Sequence, residues 1–179
     1  MKADGSGAHR WKTTDSGNVN NAGWSPDGKR FVFMRRDNST PRTAIFTMAI
    51  DGSDLKQLTP WELNAGQPAW SPDGKLIAFC SPTCDEWDSV ESNIYTIHPD
   101  GTGLTQLTSH LVVNNDGQNI TDSPSWSPDG SQIAFAHGPS LVVCCSDLWV
   151  MNRDGSGLHL LAPTDVTEEN PNWGPSPAP

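Results

Sequence analysis

The sequence contains no apolar run near the roughly 18 residues that a membrane-spanning helix requires, so insertion of a helix into a bilayer is excluded as its mode of action. Positive charge is scarce. Eleven Lys and Arg stand against 21 Asp and Glu, a formal net charge of -10 over 179 residues. A nucleic-acid partner would have to bind against that field, whereas a basic partner would be drawn by it. The N-terminal stretch MKADGSGAHR has no apolar segment of a secretion signal. No P-loop, dinucleotide-binding glycine pattern or G-x-S-x-G nucleophile elbow occurs. The five histidines (9, 98, 110, 137 and 159) are not clustered as zinc ligands, and no loop has EF-hand spacing. No cofactor is therefore expected, and a cation in a channel or acidic loop is the one exception left open. Cysteine is limited to Cys80, Cys84, Cys144 and Cys145. The C-x3-C and CC spacings define no redox site, and Cys80–Cys84 is one of several pairings open to an oxidised chain.

Helical periodicity is also missing from every strongly apolar segment, while Gly and Pro are plentiful at 16 and 15. This balance predicts short strands and many turns. One phrase recurs: NAGWSPDGK at 21–29, QPAWSPDGK at 67–75, SPSWSPDGS at 123–131 and, in part, NPNWGPSP at 170–177. Its tryptophans, Trp24, Trp70, Trp126 and Trp173, lie 46, 56 and 47 positions apart. A second phrase alternates with it: ADGSG at 3–7, IDGSD at 50–54, PDGTG at 99–103 and RDGSG at 153–157. Two alternating turn phrases with a period near 50 indicate stacked structural units.

Each unit reads as four strands. In the second, strand A is 67–70, strand B is KLIAFC at 75–80, strand C is NIYTIH at 93–98 and strand D is LTQLT at 104–108. Strands B and C are apolar on successive residues, which requires both faces of a small sheet to be covered. Radial stacking of blades meets that requirement, so the fold class is all-β: a β-propeller of four-stranded antiparallel blades. The whole of 1–179 reads as one propeller unit with three complete repeats, approximately 21–66, 67–122 and 123–169. Partial blade elements fill 1–20 and 170–179.

The phrase of tryptophan followed by SPDG, an apolar strand B, an aromatic in strand C and a DG turn before an LT-ending strand D resembles the TolB-type WD40-like repeat, also called PD40. Residues 21–163 match it through three successive copies. The resemblance implies a propeller, a periplasmic or secreted setting and relatives among peptidases, polysaccharide lyases and sensor proteins. TolB proteins join six blades to an extra N-terminal domain, which this sequence does not show. Three blades are fewer than the usual four to eight, so a homo-oligomer that completes a ring is one expectation.

Recurrence makes Trp24, Trp70, Trp126 and Trp173 core residues first, as it does Phe46, Tyr95 and Trp149 of strand C. Trp61 and Trp87 fall outside the lattice; each is read as closing a loop, with a place on a binding rim as the alternative. The repeated aspartates of the turns are explained by local hydrogen bonds. Positions that vary within the repeated frame carry the functional reading. With strand A lining the central passage, Asn21, Gln67, Ser123 and Asn170 are its polar lining. The D-to-A connection ending at Asp122 is about seven residues longer than its counterparts, and it should share a face with the B-to-C loop CDEWDSVES. Asp85, Glu86, Asp88 and Glu91 make that loop acidic around Trp87. Together with His110, Asn115, Asp116 and Asp122 they form a candidate surface for a protein or basic peptide. The function expected is non-catalytic binding of protein or peptide. The alternatives are a recognition or accessory propeller of a hydrolase or polysaccharide lyase, and an assembly scaffold or designed repeat fragment.

Overall fold

The strands are set by the turns between them. In the second SPDG phrase, Ser71 Oγ donates to Asp73 Oδ1 (2.7 Å), which also accepts from Lys75 N (3.0 Å), while Leu76 N donates back to Ser71 Oγ (2.9 Å). Gly74 closes the turn at φ +70°, a conformation that other L-residues adopt only with strain. Ser25–Asp27 and Ser127–Asp129 repeat the arrangement at 2.7 Å each.

The computed structural model describes residues 18–82, 92–109, 119–139, 146–162 and 170–173. Its first sheet contains β1 (Val19–Trp24), β2 (Arg30–Arg36), β3 (Thr43–Ala49) and β4 (Lys56–Gln57). The second contains β5 (Gly66–Trp70), β6 (Ile77–Ser81), β7 (Asn93–Ile97) and β8 (Thr105–Gln106). The third contains β9 (Asn119–Trp126), β10 (Gln132–Pro139), β11 (Asp147–Asn152) and β12 (His159–Ala162). All pairings are antiparallel between consecutive strands, and the first strands of the sheets pack in succession, β1 on β5 and β5 on β9. The fold is thus all-β, with three four-stranded propeller blades among the described residues.

Alternating residues of one strand feed two different cores. From β6, Ile77 and Phe79 join Val32, Met34, Ile45 and Leu58 of the first blade, whereas Ala78 and Cys80 join Trp126, Ile133 and Phe135 of the third. Burial on both faces explains why the strand is apolar at every position. Each large side chain buried this way contributes about 1.5–3 kcal/mol. Cys80 is a free, buried thiol, and its Sγ donates to Gln67 Oε1 (3.3 Å). Cys84, Cys144 and Cys145 lie outside the described residues.

The structure departs from the sequence reading in three places. β4 and β8 have only two residues each, because a threonine hydroxyl finishes the ladder: Ile45 N donates to Thr59 Oγ1 and Ile94 N to Thr108 Oγ1, both 2.9 Å. Ala162 occupies that position in the third blade and pairs through its backbone with Leu148, giving the four-residue β12. β9 starts at Asn119, so the end of the long connection is strand; Thr121 pairs with His137 and Asp122 with Ala136. In line with the loop-closing reading, Trp61 packs on Phe46 (centroids 5.6 Å apart) and opens a 3-10 turn over the core. Trp24, unlike Trp126, is 55% exposed, since no sheet among the described residues covers it as the second blade covers Trp126.

Candidate functional site

Each first strand carries a bulge at the same place. Two residues of β1 between Asn20 and Gly23 oppose one of β2, and the same two-against-one count occurs between Gly66 and Ala69 of β5 and between Asp122 and Ser125 of β9. The first bulged residue is left-handed every time, Asn21 and Ser123 at φ 52° and Gln67 at 51°, and the equivalent Asn170, outside any described strand, shares the conformation at 52°. The next residue is Pro68, Pro124 or Pro171 in three of the four. A bulge leaves that residue without a ladder bond, so a missing N–H costs nothing there. The side chains link neighbouring blades. Gln67 Oε1 accepts from Ser123 N (2.7 Å), and Ser123 Oγ donates to Asn170 Oδ1 (3.0 Å). The four sequence-selected positions are therefore one structural position, and three of them form a hydrogen-bonded chain. Among the described residues no group of three or more His, Cys, Asp or Glu is gathered to hold a metal.

The ends of the acidic loop are fixed on both sides. Ser81, where β6 ends, donates through Oγ to Leu63 O in the connection between the first and second blades. Ser92, at the other end, donates to Thr121 O (2.8 Å) and accepts from Thr121 N (2.6 Å). Thr121 lies just beyond the long connection, and its Oγ1 shares a hydrogen bond with His137 Nδ1 (2.7 Å). His137 is almost fully buried, with Trp149 edge-on at 5.8 Å. The last residue of one loop and the first strand after the other are thus joined by a reciprocal pair of bonds. Of the selected loop residues, Asp122 is half-buried in β9; Asp85, Glu86, Trp87, Asp88, Glu91, His110, Asn115 and Asp116 lie outside the described residues. Sequence reasoning passed over Ser92, Thr121 and His137. Their only signal is a small hydroxyl residue flanking each loop, which is too common to single out.

The sheets, bulges and turns define a class, the β-propeller of WD40-like blades. No family model matches the sequence. The Tol-Pal system protein TolB of Anaeromyxobacter dehalogenans is 35% identical over 144 residues, covering 80% of this chain and 29% of that protein. A structure of a putative TolB from Agrobacterium tumefaciens superposes with a TM-score of 0.70 at 24% identity, over 90% of this chain and 56% of that one. An oligogalacturonate lyase in complex with manganese superposes with a TM-score of 0.64 at 15% identity, over 88% and 45%. The particular blade is the TolB-like PD40 repeat. The chain spans less than half the length of the curated relatives it matches, 21%, 43% and 29% of the first three.

Proposed function

We propose that the chain is a non-catalytic propeller module that binds a protein or peptide of basic character at the loop face of its second and third blades. The observation that supports this reading is the reciprocal Ser92–Thr121 hydrogen bond, which joins the last residue of the acidic segment to the strand that follows the long connection. An acidic rim with Trp87 at its centre supplies charge for encounter and an aromatic for the contact itself. The net charge of -10 favours the same class of partner. The setting we infer is the cell envelope or the exterior, in keeping with relatives that are Tol-Pal system proteins.

Titration against a panel of basic peptides, with neutral glycans and cations alone as controls, tests the reading. Glu86→Gln with Asp88→Asn is expected to weaken binding and flatten its salt dependence, and Trp87→Ala to cost about 1–3 kcal/mol of affinity. Equal binding by parent and variants, or a response to glycan or cation alone, contradicts it. A glycan response would favour the reading as an accessory propeller, which the lyase superposition supports at the level of fold.

A further inference from the structure

The blades repeat closely enough to serve as controls for one another, and one contact breaks the pattern. The residue before the second DG turn phrase is Ile50 in the first blade, Pro99 in the second and Arg153 in the third. Arg153 bridges two blades: Nη1 lies 2.9 Å from Asp73 Oδ2 of the second blade, and its guanidinium carbon sits 5.4 Å from the ring centroid of Trp126. Between the second and third blades, therefore, the space beside the carboxylate and the indole is occupied by a guanidinium that makes both an ion pair and a cation–π contact.

The groove between the first and second blades keeps the carboxylate and the indole but lacks the bridging arginine, and it has Arg30 where the other has Leu76. Asp27 stands where Asp73 stands, Trp70 where Trp126 stands, and Pro99 where Arg153 stands. Blade packing is conserved: the position of a Cβ on Gly74 would lie 3.9 Å from Pro26 Cδ, and that on Gly130 3.5 Å from Pro72 Cδ. The space is a cavity of about 340 Å³ bounded by Asp27, Arg30, Trp70, Asp73, Gly74 and Pro99. Ligand pockets run from about 300 Å³ upward. The two other charged walls already have partners. Arg30 pairs with Asp54 (2.5 Å) and donates to Thr47 (3.2 Å), and Asp73 holds Arg153. Asp27 uses Oδ1 for Ser25 and Lys29 N, and its Oδ2 accepts nothing among the described residues, whereas Asp73 Oδ2 takes the arginine.

We propose that this groove is a receptor for a guanidinium, filled by an arginine side chain of a peptide partner, with Asp27 Oδ2 as acceptor and the Trp70 ring as platform. The site lies at the end of the blades that carries the SPDG and DG turns, opposite the loop face, so it is independent of the function proposed above. Pro99 also explains a local adjustment. Ile50 N donates to Lys29 O and Arg153 N to Ser131 O, each 2.9 Å, but proline has no N–H. The equivalent Lys75 O accepts from His98 Nδ1 instead (3.1 Å).

The test is a titration of the intact chain with N-acetyl-arginine amide, followed through the Trp70 indole N–H resonance, with the citrulline and lysine analogues as controls. The arginine compound is expected to shift that resonance saturably and the neutral citrulline compound to leave it in place. Asp27→Asn should weaken binding by about 1.5- to fivefold, the range for one exposed ion pair. Pro99→Arg should fill the groove from within, abolish the response and raise the melting temperature. Arg153→Ala should open a second site and add a response at Trp126. A Trp70 signal unmoved by arginine overturns the proposal, as do equal responses to citrulline or lysine and undiminished binding by both Asp27→Asn and Pro99→Arg. A Pro99→Arg chain that does not fold leaves Asp27→Asn and the citrulline control to decide.

Discussion

At the scale of single residues, the turn aspartates do most of the electrostatic work. Burial opposes the charge on Asp73, yet donation from the Ser71 hydroxyl, the Arg153 guanidinium and Lys75 N outweighs it and holds the carboxyl well below its ordinary value of 3.8. Asp129 is lowered to about 2, chiefly by the Ser127 hydroxyl and Ser131 N. A carboxyl depressed by folding contributes stability above its unfolded value, and that contribution is lost as pH falls toward the folded value. Stability is therefore expected to decline below about pH 4. Arg153→Ala returns Asp73 part of the way to its ordinary value, so the gap in urea midpoint between parent and variant should be wider at about pH 6 than at about pH 2. A gap independent of pH contradicts the assignment. The aspartates and glycines of these turns were legible in the sequence because each acts on its own neighbours. The left-handed conformation at Asn21, Gln67, Ser123 and Asn170 was legible only as a list of equivalent positions. At Asn21, Gln67 and Ser123 it accompanies the bulged pairing with the next strand, and Asn170 shares the φ without a described partner strand; no local pattern spells it out.

At the scale of the element, the outer strands β4 and β8 rest on one hydroxyl each. Thr108 is 3% exposed, and its Oγ1 accepts from the fully buried Ile94 N while it donates to Asn93 Oδ1 (3.0 Å). Thr108→Val keeps the shape and leaves that amide without an acceptor, an expected loss of about 1–3 kcal/mol in chemical denaturation. Thr105→Val, on the exposed edge of β8, should change stability by no more than about 0.5 kcal/mol. Similar losses from the two variants would remove the hydroxyl from this role. The strand count, their order and their apolar faces were readable from alternation and repeat. The two-residue length of β4 and β8 was not, because a side chain that takes the place of a ladder bond looks like more strand in the sequence.

At the scale of the molecule, the described blades form a run with unlike ends. Asn170–Trp173 lies against the third blade, where Trp173 Nε1 donates to Ser125 O (3.0 Å), just as Trp126 Nε1 donates to Ala69 O (3.1 Å). Trp24 has the same position in its blade and remains 55% exposed. A polypeptide of these 179 residues is expected to self-associate through that indole, giving a mass that rises with concentration in light scattering. Trp24→Ser should reduce the effect. A 19.4 kDa species at every dilution contradicts it.

Every described sheet is completed by four strands in unbroken chain order. None waits for a strand from the far end of the polypeptide, so most of the sequence separation between pairing residues stays short. Such local pairing closes small loops first and favours rapid formation. During synthesis the first sheet has all its strands once residue 57 has left the ribosome, and the second once residue 106 has. Each finished sheet then offers the next an apolar face to settle on, so the order of translation is also the order of assembly.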